Sequence, residues 1–445
     1  MDAARSLLLT DLYQLTMLQG YFEQGMHETA VFEFFARDLP KARGFYVAAG
    51  LEQLVEFLDQ ARFSPAEIQW VHDSGKFSRE FVEWLGDWRF TGDLDAMPEG
   101  SVFFPHEPIA RVTAPLPEAQ LVESRLINIL HFQTLIASKA VRCVMAAPGK
   151  LLVDFGMRRA HGAEAAMFAA RASYLAGFAG TATVLADRHY GVPSFGTMAH
   201  SFVQAHDREL DAFEHFALAQ PNNVVLLIDT YDTEAAAEKL VALAPRLEQR
   251  GIAITAVRLD SGDLNQHARL VWAIVDRAGL QAVGIFSCGS LDVLDLRRLL
   301  DLGAPIVGFG IGTRLDTSAD APYLDCAYKL QEYAGRARRK RSEGKATWPG
   351  RKQVYRSLDE DGVMLQDLLT VHHDRQAGAP LIEPCLRNGA RVAPPEALGA
   401  IRDRLQAQLA SLPEPIRALD EPAHYPVEVS DALRALAAEV DRQPH

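Results

Sequence analysis

Cysteine is scarce. The four in this 445-residue chain, Cys143, Cys288, Cys326 and Cys385, are too far apart for a CxxC pair or a Cys/His zinc set. Reduced, mostly buried thiols are the expectation. Long apolar runs are missing as well. None approaches ~18 residues, so no transmembrane helix is expected. The opening MDAARSLLLT lacks the long apolar stretch and small-residue cleavage site of a signal peptide. These absences point to the cytoplasm and to no membrane partner. Basic charge is in deficit, at a formal net charge of −13. That argues against nucleic acid as the main partner, since such proteins carry a basic footprint. It leaves anionic small substrates open, because local Arg and Lys decide those. No solenoid repeat or low-complexity tract is found.

What is present is ordinary globular composition, 48% hydrophobic and 23% charged, in a chain long enough for two or three domains. The informative feature is serial. Short apolar runs end in polar or glycine-rich clusters, and each cluster leads into a helical pattern. Leu151–Phe155 carries Asp154, and Val224–Ile228 ends at Asp229. Ile252–Val257 runs into Arg258-Leu-Asp260-Ser261-Gly-Asp263. Ala282–Phe286 runs into Ser287-Cys-Gly289-Ser290, and Pro305–Val307 into Gly308-Phe-Gly310-Ile-Gly312-Thr313. Phe195-Gly-Thr197-Met-Ala-His200-Ser201 repeats the layout, with a strand expected before it and a helix after it. In a β/α barrel such clusters share one rim, where catalytic groups collect.

The fold class expected is α/β: an irregular β/α barrel over 141–335, beside an α+β domain in 1–140. Residues 336–445 hold a basic loop, strands returning to the N-terminal domain, and C-terminal helices. Helices are predicted at 12–21, 51–58, 64–70, 397–412 and 429–440, with a long bridging helix over 118–140. Strands are predicted at 29–35, 101–111, 352–355 and 363–369. The basic run RARRKRSEGK (336–345) reads as a loop, supported by Gly344 and Pro349-Gly350.

Taken alone, His200 is best read as a helix-capping histidine. Gly196 and Thr197 before it favour a nucleophile or acid/base group beside a ligand, because a Gly-Thr turn can present N–H groups to a phosphate. Gly308–Thr313 reads as an anion-wrapping loop, against the plainer reading of a tight turn. Alternation sends Arg258 and Asp260 to one side, suiting an anion and a ribose or Mg²⁺. Asp229 offers a second acidic strand end, or simply a helix cap. Arg158 and Arg159 lie beside Phe155. Together these suit a phosphorylated, ribose-containing ligand with a metal.

With those residues assembled, the chain resembles the nicotinate phosphoribosyltransferases. The motifs carrying the resemblance run from Thr10-Asp-Leu-Tyr-Gln14 through Phe45–Gly50, Asp154–Ala160, Gly177–Thr181, Gly196–Ser201, Arg258–Leu264 and Gly308–Thr313 to Lys352–Tyr355. The resemblance implies the two-part fold above. It also implies a reaction, in which nicotinate and phosphoribosyl pyrophosphate give nicotinate mononucleotide and pyrophosphate, coupled to ATP hydrolysis with Mg²⁺. By resemblance His200 is the histidine phosphorylated by ATP, and Asp260 and Asp229 are catalytic and candidate Mg²⁺ ligands. Tyr13 and Phe155 would sandwich the pyridine, Tyr13 arriving from the neighbouring subunit, so a homodimer with shared active sites is implied. Arg158 and Arg258 would hold carboxylate and phosphates, and Thr197 would sit by nicotinate. Gly310, Gly312 and Thr313 would meet the 5′-phosphate, and Ser287 and Gly289 join the substrate-binding set.

Ala182 stands where nicotinamide-using relatives carry an aspartate, which favours nicotinate, although a small polar residue is usual there. The alternatives are a nicotinamide or quinolinate phosphoribosyltransferase and a non-catalytic relative. Ala182 argues against nicotinamide. Quinolinate enzymes are shorter and need extra basic residues. Retention of His200, Asp260 and the glycines argues against a non-catalytic relative.

Overall fold

The computed structural model describes residues 5–342 and 347–443. The chain folds into two compact units, residues 1–138 with 323–445, and residues 139–322. The expected divisions at 140 and 335 therefore fall at 138 and 322. The second one moves because the strand Cys326–Tyr333 pairs along Thr29–Ala36 of the first unit rather than with the barrel strands.

The first unit is built on a seven-stranded antiparallel sheet. Its order is Arg336–Ala337, Cys326–Tyr333, Thr29–Ala36, Pro108–Pro115, Asp93–Ala96, Glu383–Arg387 and Ala390–Arg391. Thr29–Ala36 was read from alternation, yet seven of its eight residues are buried. Burial on both faces removes the need for a polar side. Phe32 and Tyr328 stack across the pairing of Thr29–Ala36 with Cys326–Tyr333, with centroids 4.9 Å apart. Lys352–Leu358 and Met364–Val371 lie in this unit, as expected of returning strands. They do not join the large sheet, but form a four-stranded one with Ala379–Pro380 and Val427–Val429. The helix Pro65–Asp73 opens with a Ser64/Glu67 capping box, worth on the order of 1 kcal/mol.

The predicted bridging helix is two helices, Leu116–Leu121 and Glu123–Ala146, separated at Val122. The basic run is less loop-like than expected. Arg336–Ala337 forms a hairpin with Glu332 and Tyr333, and Arg339 and Arg341 both pair with Asp441. Gly344 and Lys345 lie outside the described residues. Among the described residues no helix is long and apolar enough to cross a membrane.

The second unit is a parallel sheet in the order Gly180–Thr181, Leu151–Asp154, Gly308–Ile311, Gly284–Ser287, Ala256–Leu259 and Val225–Leu227. The first strand lies beside the last, so the sheet wraps as a barrel does. It is irregular at one place. Beyond Gly180–Thr181 there is only a single bridge, Thr181 to Ser194. Pro193, with no N–H to donate, stands where a full strand would continue. The strand expected before His200 is therefore absent. Asn223 instead donates its side-chain amide to the Gly196 carbonyl at 3.0 Å.

Two strands sit later in the sequence than their apolar runs suggested. Ala256–Leu259 takes in Arg258, because that residue pairs with Leu227 on one side and Phe286 on the other. Gly308–Ile311, read as a phosphate loop, is itself a barrel strand. Its glycines serve packing. A Cβ on Gly308 would lie 2.8 Å from the Leu151 carbonyl oxygen, and one on Gly310 would lie 2.5 Å from the Phe155 ring. Only Gly312 and Thr313 belong to the turn that follows.

Candidate functional site

At the C-terminal ends of these strands lies a cleft of about 310 Å³. That is where parallel β/α units gather their chemistry. Phe155, Arg158, His200, Arg258, Asp260, Gly289, Gly310, Gly312 and Thr313, all singled out from the sequence, line it together. Arg159, read with Arg158 from the sequence, lines it too, as do Cys288 and Ser290, which were not singled out as site residues. Cys288 and Ser290 follow from alternation beyond Phe286, a signal that needed the true strand ends. The lining presents three guanidinium groups against one carboxylate, in a chain of net charge −13. The local field therefore favours an anion.

Phe155 directly follows its strand and donates its N–H to the Ile311 carbonyl at 2.8 Å. Its ring packs against Phe286 at 5.9 Å between centroids. The chain then makes a short 3-10 turn, Met157–Arg159, that carries the two arginines. Arg159 Nη1 lies 3.4 Å from Thr313 Oγ1, so the turn and the start of the helix Thr313–Asp316 face each other. Gly312 has no room for a Cβ, which would lie 2.9 Å from the Phe155 carbonyl oxygen.

His200 is the first residue of the short helix His200–Gln204. Its Nδ1 is 3.1 Å from the Thr230 hydroxyl, and its Nε2 is 3.9 Å from Asp260 Oδ2. The ring is held at one nitrogen and, with its side chain 40% exposed, is open at the other. Thr197 does not line the cleft. It accepts from Arg258 Nη1 at 2.8 Å and fixes that guanidinium. Asp229 is likewise a brace. Its Oδ2 accepts from the Asp260 N–H at 2.8 Å and from the Ser261 hydroxyl at 2.7 Å. Its Oδ1 is buried without a hydrogen-bond partner. Asp260 is the carboxylate that opens to the cleft, and a Cβ on Gly289, at φ +109°, would lie 3.0 Å from the Asp260 carbonyl oxygen.

Three residues fall elsewhere. Ser287 is buried and in register with Leu259, so it lies on the opposite face from Phe286 and Arg258 and outside the cleft. Ala182 is exposed and does not line the cleft. Tyr13, on the helix Leu12–Glu23 of the first unit, is 47% exposed. Cys288 is a thiol, not a thiolate, since burial pushes it up to about 12. Among the described residues no three His, Cys, Asp or Glu side chains cluster to hold a metal ion.

The chain matches three family models in order. They are the nicotinate phosphoribosyltransferase N-terminal domain over residues 8–131, the nicotinate phosphoribosyltransferase family over 151–348, and the nicotinate phosphoribosyltransferase C-terminal domain over 374–437. It is 49% identical to a nicotinate phosphoribosyltransferase of Mycobacterium tuberculosis over 430 residues, covering 96% of this chain and 92% of that protein. It is 37% identical to one of Bacillus subtilis over 361 residues, covering 79% and 73%. Its fold matches the crystal structure of human nicotinic acid phosphoribosyltransferase with a TM-score of 0.87. That match is 30% identical and covers 97% of this chain and 99% of the human one.

Proposed function

The chain belongs to the nicotinate phosphoribosyltransferase family, and we propose that its barrel cleft joins nicotinate to the ribosyl carbon of phosphoribosyl pyrophosphate, with ATP hydrolysis coupled through His200. The products are nicotinate mononucleotide and pyrophosphate, with ADP and phosphate from the coupling. This is an entry step to NAD, expected in the cytoplasm.

The observation that carries the reading is the convergence of an aromatic ring, three arginines, His200 and Asp260 on one cleft. Phe155 offers the pyridine a stacking face. Arg158, Arg159 and Arg258 suit the nicotinate carboxylate and the phosphates, which guanidinium forks bind in two-point fashion. Arginine-lined walls favour a carboxylate over a neutral amide. Loss of pyrophosphate builds positive charge on the ribosyl carbon, so the carboxylate of Asp260, whose backbone N–H is anchored by Asp229, is suited to stabilise it. The pyridine nitrogen already has a lone pair, so no general base is required. His200 is then free to carry phosphate, steadied at Nδ1 by Thr230.

Mg²⁺ fits this donor set as an ion held mainly by pyrophosphate oxygens and water, with Asp260 as the protein ligand. One or two carboxylates plus substrate phosphates are its usual environment. When bound, it supplies charge neutralisation on the leaving group. Asp229 is less suited, because it does not line the cleft. Tyr13, from a partner subunit, completes the pyridine sandwich in a homodimer.

The test is synthesis of nicotinate mononucleotide with and without ATP, together with phosphate incorporation into the protein. Wild type should be stimulated by ATP and take up acid-labile phosphate. His200→Ala should keep slow ATP-independent synthesis and lose both. Equal ATP stimulation in the two proteins would remove His200 from the coupling step.

A further inference from the structure

Beneath the cleft lie two aspartates that the reaction itself does not use. Asp154 and Asp316 are both fully buried. Asp154 Oδ1 accepts from the Gly156 N–H, and Oδ2 accepts from the Thr181 hydroxyl, each at 2.7 Å. The Thr181 oxygen in turn accepts from the Thr183 N–H at 3.0 Å. Asp316 receives nothing of this kind. Both its carboxyl oxygens are buried and no donor reaches them. It presses on the turn directly, since a Cβ on Gly156 would lie 2.1 to 2.4 Å from its carboxyl atoms.

We propose that Asp316 is a positioning residue: its protonated carboxyl donates to Asp154, and this carboxyl–carboxylate pair sets the turn that presents Phe155, Arg158 and Arg159 to the cleft. The assignment of the proton follows from the donors. Burial raises the Asp154 carboxyl too, but an N–H and an O–H meet it and pull it back toward its ionised form, whereas no donor reaches Asp316. Burial, and then the Asp154 charge, hold the Asp316 carboxyl well above the usual carboxylate range. The charged residues on the elements packed against it are Arg158 and Arg159 on the turn, and Glu164 and Arg171 on the helix Ala163–Leu175. Its own helix adds Arg314. None of these donates to it. The pair ties together three segments: residues 154–159, residues 181–183, and the helix Thr313–Asp316, whose Asp316 N–H returns to the Gly312 carbonyl. Two of these carry the cleft's Phe155, its paired arginines and Thr313.

The inference rests on the proposed function, and the test separates the two. Wild-type synthesis of nicotinate mononucleotide is measured first, and its absence would count against the function. The KM for nicotinate is then followed with pH. In wild type it should rise on the alkaline side, where the pair loses its shared proton and two carboxylates repel. Asp316→Asn, which donates an N–H at every pH, should match wild type near neutrality and stay flat above it. Asp316→Ala should raise KM roughly 10-fold across the range, with kcat changed far less. A protonated-carboxyl C=O band in infrared difference spectra of the free protein should vanish in Asp316→Asn, whether or not turnover is measured. An alkaline rise in Asp316→Asn equal to that of wild type, an unchanged KM in Asp316→Ala, or retention of the infrared band would overturn the assignment.

Discussion

Arg258 donates from Nη1 to the Thr197 hydroxyl at 2.8 Å, joining a barrel strand to the irregular segment that leads into His200. The guanidinium is fixed before any ligand arrives, so less side-chain entropy remains to be lost on binding. Thr197→Val keeps the shape and removes the acceptor. A bond to a charged group is worth about 1.5 kcal/mol or more. The KM for the anionic substrates should therefore rise roughly 10-fold. An unchanged KM would show that Arg258 needs no anchor.

Gly310 has no space for a side chain. A methyl group there would meet Phe155 at 2.5 Å and Cys288 Sγ at 2.8 Å. Gly310→Ala should weaken nicotinate binding by displacing the ring. It should also cost about 1–3 kcal/mol of stability, as overpacking in a filled core does. Adding Cys288→Ala should restore part of the stability, since it opens one of the two contacts. Denaturant titration of both variants beside wild type checks this, and a stable Gly310→Ala with normal KM would contradict the packing argument.

The buried Asp316 makes stability depend on pH with a definite sign. Below the ordinary aspartate value of 3.8, folded and unfolded forms are both protonated and the group costs nothing extra. As pH rises above that value the unfolded chain ionises while the folded one keeps its proton. Stability is therefore lost, at about 1.4 kcal/mol per pH unit, until the raised folded value is reached. Asp316→Asn has no such term. The difference in Tm between Asp316→Asn and wild type should grow as pH rises above the ordinary aspartate value. A constant difference would mean that Asp316 is not held protonated.

The proposed sharing of active sites between subunits predicts complementation. Tyr13→Ala should weaken nicotinate binding by removing one face of the sandwich, on the order of 1 kcal/mol. Mixing it with His200→Ala should give dimers in which one site has both native residues, and ATP-coupled synthesis should partly return. No recovery, with subunit exchange confirmed, would mean that each site is made from one chain.

Alternation and turn chemistry made much of the site legible. Arg258 and Asp260 share a face because they are two apart in an extended segment, and both reach the cleft. His200 could be singled out because small residues precede it, a pattern visible without coordinates. The same reasoning misread Gly308–Ile311. Glycine marks close approach of some neighbour, and only the fold says whether the neighbour is a phosphate or, as at Gly310, an aromatic ring and a thiol. Ser287 failed for a related reason. One residue of error in a strand end sends a side chain to the opposite face.

By itself the sequence determined the α/β class, the order of the barrel strands along the chain, and the residue types needed to receive a phosphorylated anion. Each of those follows from local periodicity and local chemistry. The tertiary structure alone decided which aspartate opens to the cleft and which braces it, since Asp229 and Asp260 look alike as strand-end acids. It alone buried Asp154 and Asp316, 162 positions apart, against the same residue, Gly156. The reason is physical. The cost of burying a carboxyl group, and the partner that offsets that cost, are properties of packing between distant segments, and no local pattern encodes them.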